Sequence, residues 1–406
     1  MLNLKLDLLQ TLSLAAVLYF VGLQLRRRIA WLDRLNIPAA VIGGLLFTTF
    51  VMVGHNRFLA VQLDTSAQST LSVAFFTSIG MGASLALLRA GGLQVLVFLT
   101  FATIFCFVQN FLGMGIATAF GEHPLLGVMA GSVTLIGGPA TGLAFTPLFE
   151  QAGLAGAGAL ALASATAGIV AGGLTGGPVG TYVIRRFQLR PTSAPTRTTQ
   201  EELRAELAPP PETLVVEVEQ EDNLLVRNVV ILALAMGIGS VVSRYIQSLG
   251  ITLPAYIGAM LVASVLRNVD DVGGWLRIDQ RAMEFIGNVA LNIFLTVALM
   301  DLKLWQLAGV ALPLLVILLA QVAVVLLAAI TVSFYLMGHD YDSAVMSSGF
   351  IGFVLGTTAN AVANMRALVA RFGPAPRAFL VVPLVGAFFI DFTNAIIITF
   401  FVNWLK

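Results

Sequence analysis

A chain of 406 residues that is 58% hydrophobic and 11% charged lacks the polar coat of a soluble domain, where about 25% of residues are charged. A mean hydropathy of +0.92 makes lipid its solvent. A net charge of +1 excludes the basic surface of a nucleic-acid binder, and one cysteine, Cys106, excludes a disulfide framework and a CxxC metal site.

A spanning helix needs about 20 mostly apolar residues. The first apolar run, 8–25, has no basic start and no small-residue cleavage site, and Arg26, Arg27 and Arg28 follow it. It reads as a retained helix rather than a signal peptide. Segments 36–55, 70–88, 93–120, 125–155 and 159–184 complete a first half, residues 1–184. The stretch 185–227 then carries Pro191, Pro195, Pro209, Pro210 and Pro211 among mixed charges. It cannot bury enough apolar surface to fold alone and reads as a linker. The second half, 228–406, holds segments 228–248, 252–267, 284–301, 305–337, 343–373 and 378–404.

Positive charge sets orientation. With the N-terminus outside, five crossings per half, and 125–155 and 343–373 entering and leaving on one side, 14 of the 22 Lys and Arg fall inside and 5 outside. Were 125–155 to cross fully, the basic linker would face outward. The bias therefore favours two re-entrant segments, a cytoplasmic linker and termini on the outer side.

The halves resemble each other at an offset of 216–217 residues. GEHPLLGVMAGSVTLIGGPATGLA (121–144) aligns without gaps on GHDYDSAVMSSGFIGFVLGTTANA (338–361), matching Gly121, Val128, Met129, Thr141 and Ala144 to Gly338, Val345, Met346, Thr358 and Ala361. Pro38 falls opposite Pro254 and Gly92 opposite Gly309. An odd number of crossings per half, with a linker beginning and ending on one side, gives the halves opposite topology. The expected fold is an all-α polytopic membrane protein. It has two inverted-topology repeats of about five transmembrane helices, each with a re-entrant helical hairpin, and its site lies at matching broken helices near the midplane.

The stretch SVTLIGGPATG (132–142) sets hydroxyls beside Gly137, Gly138, Pro139 and Gly142 in a charge-free region. Proline removes an amide hydrogen and glycine frees the backbone. The freed groups cannot face lipid and must line a cavity. There, helix N-termini suit a carboxylate, and carbonyls with hydroxyls suit sodium. Ser132, Thr134, Gly137, Gly138 and Thr141 are the substrate candidates here. In the matching SSGFIGFVLGTTANAVANMR (347–366) they are Thr357, Thr358, Asn360 and Arg366. Sodium candidates are Thr134, Thr141, Thr358, Asn360, Asn364 and Asn394. The competing reading of glycine and threonine is plain helix packing. Paired position, Pro139 and the Asn-rich run favour function. Arg366 either grips a substrate carboxylate or caps the inner end of a hairpin and snorkels.

Asp391, in VGAFFIDFTNAII, is an acid within the last span and so a functional candidate for a substrate ammonium, sodium or a proton. Its alternative is a buried partner to Arg366 or a backbone cap. Its counterpart, Leu174, is apolar, so any charge role belongs to one half. Gly168, Gly172, Gly176 and Gly180 recur every four residues as a close-packing face, without chemistry. Gln109, Asn110, Asn288, Asn292 and Gln321 read as interhelical glue, with Asn288 and Asn292 weak candidates for lining the path. His55, His123 and His339 are scattered, which argues against zinc. No triad, HExxH or carboxylate pair recurs at reactive spacing, so an enzyme is disfavoured. A channel would need a continuous polar lining.

The stretches IGNVALNIFLTVALMDLKLWQLA (286–308), ANMRALVARFGPAPRAFLVVPLVGAFFIDFTNAIII (363–398), AFFTSIGMGASLALLRAGG (74–92) and AGSVTLIGGPATGLAF (130–145) resemble the bacterial sodium/glutamate symporter family. The resemblance covers nearly the whole chain outside the linker. It implies sodium-driven uptake of L-glutamate, sodium as the co-transported ion with no other cofactor, and a homodimer in the inner membrane with periplasmic termini. Similarity to the hydroxycarboxylate symporters adds an elevator movement of a transport part against a fixed scaffold. Members commonly carry Gly-Gly-His-Gly-Thr where this chain has Gly137, Gly138, Pro139, Ala140 and Thr141, and an uncharged residue where it has Arg366. These departures sit at the proposed site. A sodium- or proton-coupled carrier of another dicarboxylate or amino acid is the alternative.

Overall fold

The structure, a computed structural model, describes residues 2–54, 59–90, 92–191, 218–250 and 252–405. Most of the linker, 192–217, lies outside the described residues. The chain begins with strand β1 (Leu2–Leu6), then α1 (Leu8–Arg28), α2 (Ala30–Arg34), α3 (Ala39–Gly54) and strand β2 (Leu59–Leu63). The strands pair in parallel from Leu2↔Leu59 to Leu6↔Leu63, a small two-stranded addition to a chain that is otherwise helical among the described residues, as the all-α expectation has it. Both follow a two-residue apolar alternation, LNLKL and LAVQL, that suits a strand and not a helix.

Helices α4 (Ala67–Gly82) and α5 (Leu85–Ala90) replace the single segment expected over 70–88. Asn268 fixes the break. Its Nδ2 donates to the Ala83 carbonyl at 2.9 Å and its Oδ1 accepts the Leu85 N–H at 2.8 Å. Then come α6 (Gly92–Ala119), α7 (Pro124–Val133), α8 (Gly138–Gln151) and α9 (Ala157–Arg186). The second series is α10 (Val218–Ser248), α11 (Ala255–Gly273), α12 (Gln280–Met300), a 3-10 turn (Leu304–Val310), α13 (Ala311–Leu336), α14 (Tyr341–Val354), α15 (Thr358–Phe372) and α16 (Pro376–Trp404). α10 starts ten residues before the expected 228.

Among the described residues, seven helices are long and apolar enough to span a membrane: α1, α6, α9, α10 from Leu224, α12, α13 and α16. α3 and α4 have 16 residues each, about 24 Å at 1.5 Å per residue. α11 carries Arg267, Asp270 and Asp271 in its second half. Two shorter helices, Ala39–Val53 in α3 and Pro124–Val133 in α7, are also apolar.

Helices α6–α9 and α13–α16 pack on one another, while α1, α3, α4 and α10–α12 pack beside them. The first group holds both broken segments, α7–α8 and α14–α15.

Candidate functional site

α7 loses its regular ladder at Gly131 (φ −104°, ψ −132°), inside a π turn over Met129–Val133. A Cβ there would lie 2.7 Å from Asn110 Oδ1, so only glycine lets Asn110 reach the backbone. Asn110 Oδ1 accepts the Ser132 N–H at 2.9 Å, and Asn394 Nδ2 donates to the Ser132 carbonyl at 2.9 Å. Thr134 Oγ1 donates to the Met129 carbonyl at 2.7 Å. Three side chains thus bond to backbone groups at the kink, beside the Ile136 and Gly137 N–H groups that also reach the Ser132 carbonyl. The chain turns through Gly137 and Gly138 (φ +67°), and Pro139 stands in the first turn of α8. Thr141 lies over Gly137, where a Cβ would come 2.6 Å from Thr141 Oγ1. The sequence placed the break at Gly137–Pro139. The structure keeps that turn and adds a kink six residues earlier, at Gly131.

The second segment begins at Asp340, which caps α14 in a reciprocal box with Ser343 and meets Arg377 Nη2 at 2.5 Å. Burial pushes the Asp340 carboxyl up, but Ser343 and the Arg377 guanidinium outweigh this and hold it below the ordinary carboxylate range. At the far end of α14, the Val354 carbonyl accepts Gln109 Nε2 at 3.3 Å. Gln321 Nε2 in turn donates to the Gln109 carbonyl at 2.7 Å. Thr357 caps α15, its Oγ1 accepting the Asn360 N–H at 3.4 Å. Thr358 Oγ1 donates at 2.6 Å to the carbonyl of Gly386, in the π turn Val385–Phe389 of α16.

α15 and α14 dock on the glycine face of α9. Asn360 Nδ2 donates to Ile169 O at 2.8 Å, Asn364 Nδ2 to Gly172 O at 3.0 Å and Ser348 Oγ to Gly176 O at 2.8 Å. A Cβ on Gly168 would lie 2.2 Å from Leu355 O, and one on Gly176 would lie 2.0 Å from Asn364 Nδ2. The glycine stripe is a packing face, and it also exposes the carbonyls that anchor the second broken segment.

The two breaks meet. A Cβ on Gly138 would lie 3.6 Å from Gly356 O and 3.8 Å from Thr357 Cγ2. The N-termini of α8 and α15, each the positive end of a helix dipole, therefore lie close together. Several buried polar atoms on these elements have no partner among the described residues: Ser132 Oγ, Asn394 Oδ1, Asn360 Oδ1, Gln109 Oε1 and Asn110 Nδ2. Asp391 lies one turn before Asn394, just after the π turn, and forms no ion pair among the described residues. The arrangement offers amide donors to a carboxylate, amide and hydroxyl oxygens to a hard cation, and a carboxylate to an ammonium.

A cavity of about 380 Å³ opens beside α8, lined by Ser69, Ser72, Leu143, Pro147, Tyr256 and Phe294 among others. Tyr256 stacks on Phe76 at 3.9 Å and meets Phe145 edge-on at 5.8 Å. A neighbouring cavity of about 420 Å³ shares Gln68, Leu143 and Pro147 and is lined by Glu150, Asp301 and Lys303. Burial raises the Glu150 and Asp301 carboxyls above their ordinary range, with Lys303 opposing.

Ser132, Thr134, Gly137, Gly138, Thr141, Thr357, Thr358, Asn360 and Asn394 thus lie at the two breaks or bond to them. Asn364 sits one turn further along α15, on α9. Arg366 is not brought there: it is exposed on α15, eight residues beyond Thr358, about 12 Å along the axis. Asn288 is also exposed, and Asn292 Nδ2 donates to its carbonyl within α12 at 2.8 Å. Sequence reasoning treated Gln109 and Asn110 as general glue and passed over Gly131 and Tyr256.

The model of the family described as "Sodium/glutamate symporter" matches residues 4–374. The chain is 40% identical over 395 residues to a "Sodium/glutamate symporter" of Escherichia coli (strain K12), covering 97% of this chain and 96% of the relative. It is 36% identical over 388 residues to the protein of the same description in Haemophilus influenzae, covering 95% of each.

Proposed function

Because the chain belongs to the sodium/glutamate symporter family, we propose that it imports L-glutamate together with sodium ions across a bacterial inner membrane. The observation that carries this is the meeting of Gly138 with Gly356 and Thr357. Two helix N-termini from opposite halves of the chain face one place, and that is a seat for an anionic solute. In this reading Ser132, Gly137, Gly138, Thr357, Thr358 and Asn360 surround the substrate. Asp391 takes its ammonium. Sodium uses oxygens of Thr134, Thr141, Asn360, Asn364 and Asn394.

The halves are read as inverted repeats with re-entrant hairpins. Supporting this, α13, α14, α15 and α16 start 219, 217, 220 and 219 residues after α6, α7, α8 and α9. The helix group that holds both breaks is the moving body of an elevator, and the group of α1, α3, α4 and α10–α12 is its scaffold within a homodimer. The linker is cytoplasmic and the termini are periplasmic, as the positive charges favour.

The test is uptake of labelled glutamate into proteoliposomes. Accumulation is expected only under an inward sodium gradient, and equal uptake in sodium-free buffer refutes the coupling. Asp391, without an ion pair among the described residues, also supports a second reading, a proton-coupled carrier. Accumulation driven by a proton gradient without sodium would select it.

A further inference from the structure

We propose that the groove between the C-terminal ends of α9 and α15 binds one anionic phospholipid, its phosphate held by Arg185, Arg186 and Arg371. The two helices run side by side in one direction: a Cβ at Gly173, Gly176 or Gly180 would meet Asn360, Asn364 or Leu368 in turn. Arg371 therefore comes level with the end of α9, where Arg185 and Arg186 stand. The three guanidinium groups line a single groove of about 800 Å³ with Pro178, Tyr182 and Leu368. All three arginines are exposed, and none has an ion pair among the described residues. Three cations around one space, without an ion pair among the described residues and with Arg371 over the Phe372 ring at 5.2 Å, attract an anion, and guanidinium forks match phosphate oxygens.

The rest of the groove selects lipid over a free anion. α9 is a membrane-spanning helix by length and composition, and its last residues are the two arginines. Before them its outer flank is apolar, with Leu174 59% and Tyr182 56% exposed. Ala367 and Ala370 continue this flank on α15. An acyl chain can lie along that wall while its headgroup meets the arginines at the interface. Arg366, exposed one turn before Ala370, is long enough to snorkel to the same headgroup. The inference is independent of which solute the protein carries.

The test is native mass spectrometry of the full-length protein with equal amounts of phosphatidylglycerol and phosphatidylcholine. The wild type should retain phosphatidylglycerol selectively. Arg185→Gln, Arg186→Gln and Arg371→Gln together should lower its affinity on the order of a hundredfold, at about fivefold per arginine, and leave phosphatidylcholine unchanged. The single surface change Arg371→Glu should abolish the selectivity while keeping a wild-type melting curve. As a control, replacing Arg26, Arg27 and Arg28 by Gln removes the same charge at the end of α1 and should leave retention intact. Equal retention of both lipids by the wild type overturns the proposal. So does an equal loss in the α1 variant, which would signal bulk attraction. Stabilisation by inorganic phosphate as strong as that by lipid would mark a free-anion site and overturn it too.

Discussion

Asn394 Nδ2 donates to the Ser132 carbonyl at 2.9 Å, joining the last helix to the kink of the first broken segment across 262 residues of chain. The Asn394 amide oxygen stays buried and unpaired beside Ser132 Oγ, which is also unpaired. Asn394→Leu removes one of three donors to the Ser132 carbonyl, which keeps the Ile136 and Gly137 N–H groups at 3.3 and 3.1 Å, at a cost of about 0.5–1.5 kcal/mol, and removes an oxygen proposed to hold sodium. Thermal unfolding should come at a lower temperature, and sodium-dependent uptake should be lost. A variant that melts lower yet keeps the wild-type sodium requirement would confine Asn394 to a structural role.

Gly176 and Gly177 are adjacent on α9 and should answer oppositely to alanine. A Cβ at Gly176 would lie 2.0 Å from Asn364 Nδ2, whereas one at Gly177 has open space. Gly176→Ala should cost about 1–3 kcal/mol through overpacking and displace Asn364 from the Gly172 carbonyl. Gly177→Ala should stay within about 0.5 kcal/mol of wild type. Melting curves of the two purified variants decide this.

Asp391 has no cationic partner among the described residues, so its carboxylate is available to a solute. Asp391→Asn keeps the shape and removes the charge. Uptake at fixed sodium should fall at least tenfold, about 1.4 kcal/mol of binding. Wild-type sodium-driven uptake by this variant would remove Asp391 from both the ammonium and the proton role.

The Asp340–Arg377 pair at the entry to α14 predicts a pH dependence. The folded-state carboxyl lies below its ordinary value, so it contributes stability that is present above the unfolded pKa of about 3.9. That contribution is lost as pH falls through the folded value. The melting temperature should therefore drop below about pH 4, and more steeply in wild type than in Asp340→Asn. Parallel curves for the two proteins would show that the pair is not the source.

The apolar runs, the glycine and proline breaks and the repeat spacing are all legible in the amino-acid sequence, because each is written in neighbouring residues. The π turn at Gly131 is not, since it depends on Asn110 approaching from another helix. Nor is the outward position of Arg366, because which face of α15 is buried is set by the glycine stripe of α9. Gln109 and Asn110 look alike as membrane amides. Yet the first reaches the end of α14 and the second the kink of α7, and only the packing of three helices separates them.

By itself the sequence determined that this is a lipid-embedded bundle with two interrupted segments, because hydropathy and the missing amide of proline act locally. The tertiary structure alone decided that the interruptions abut, that Asn360, Asn364 and Ser348 end on carbonyls of α9, and that Asp391 has no counterion among the described residues. Those outcomes follow from contacts between residues far apart in the chain. No local pattern encodes which partner a buried polar group will find.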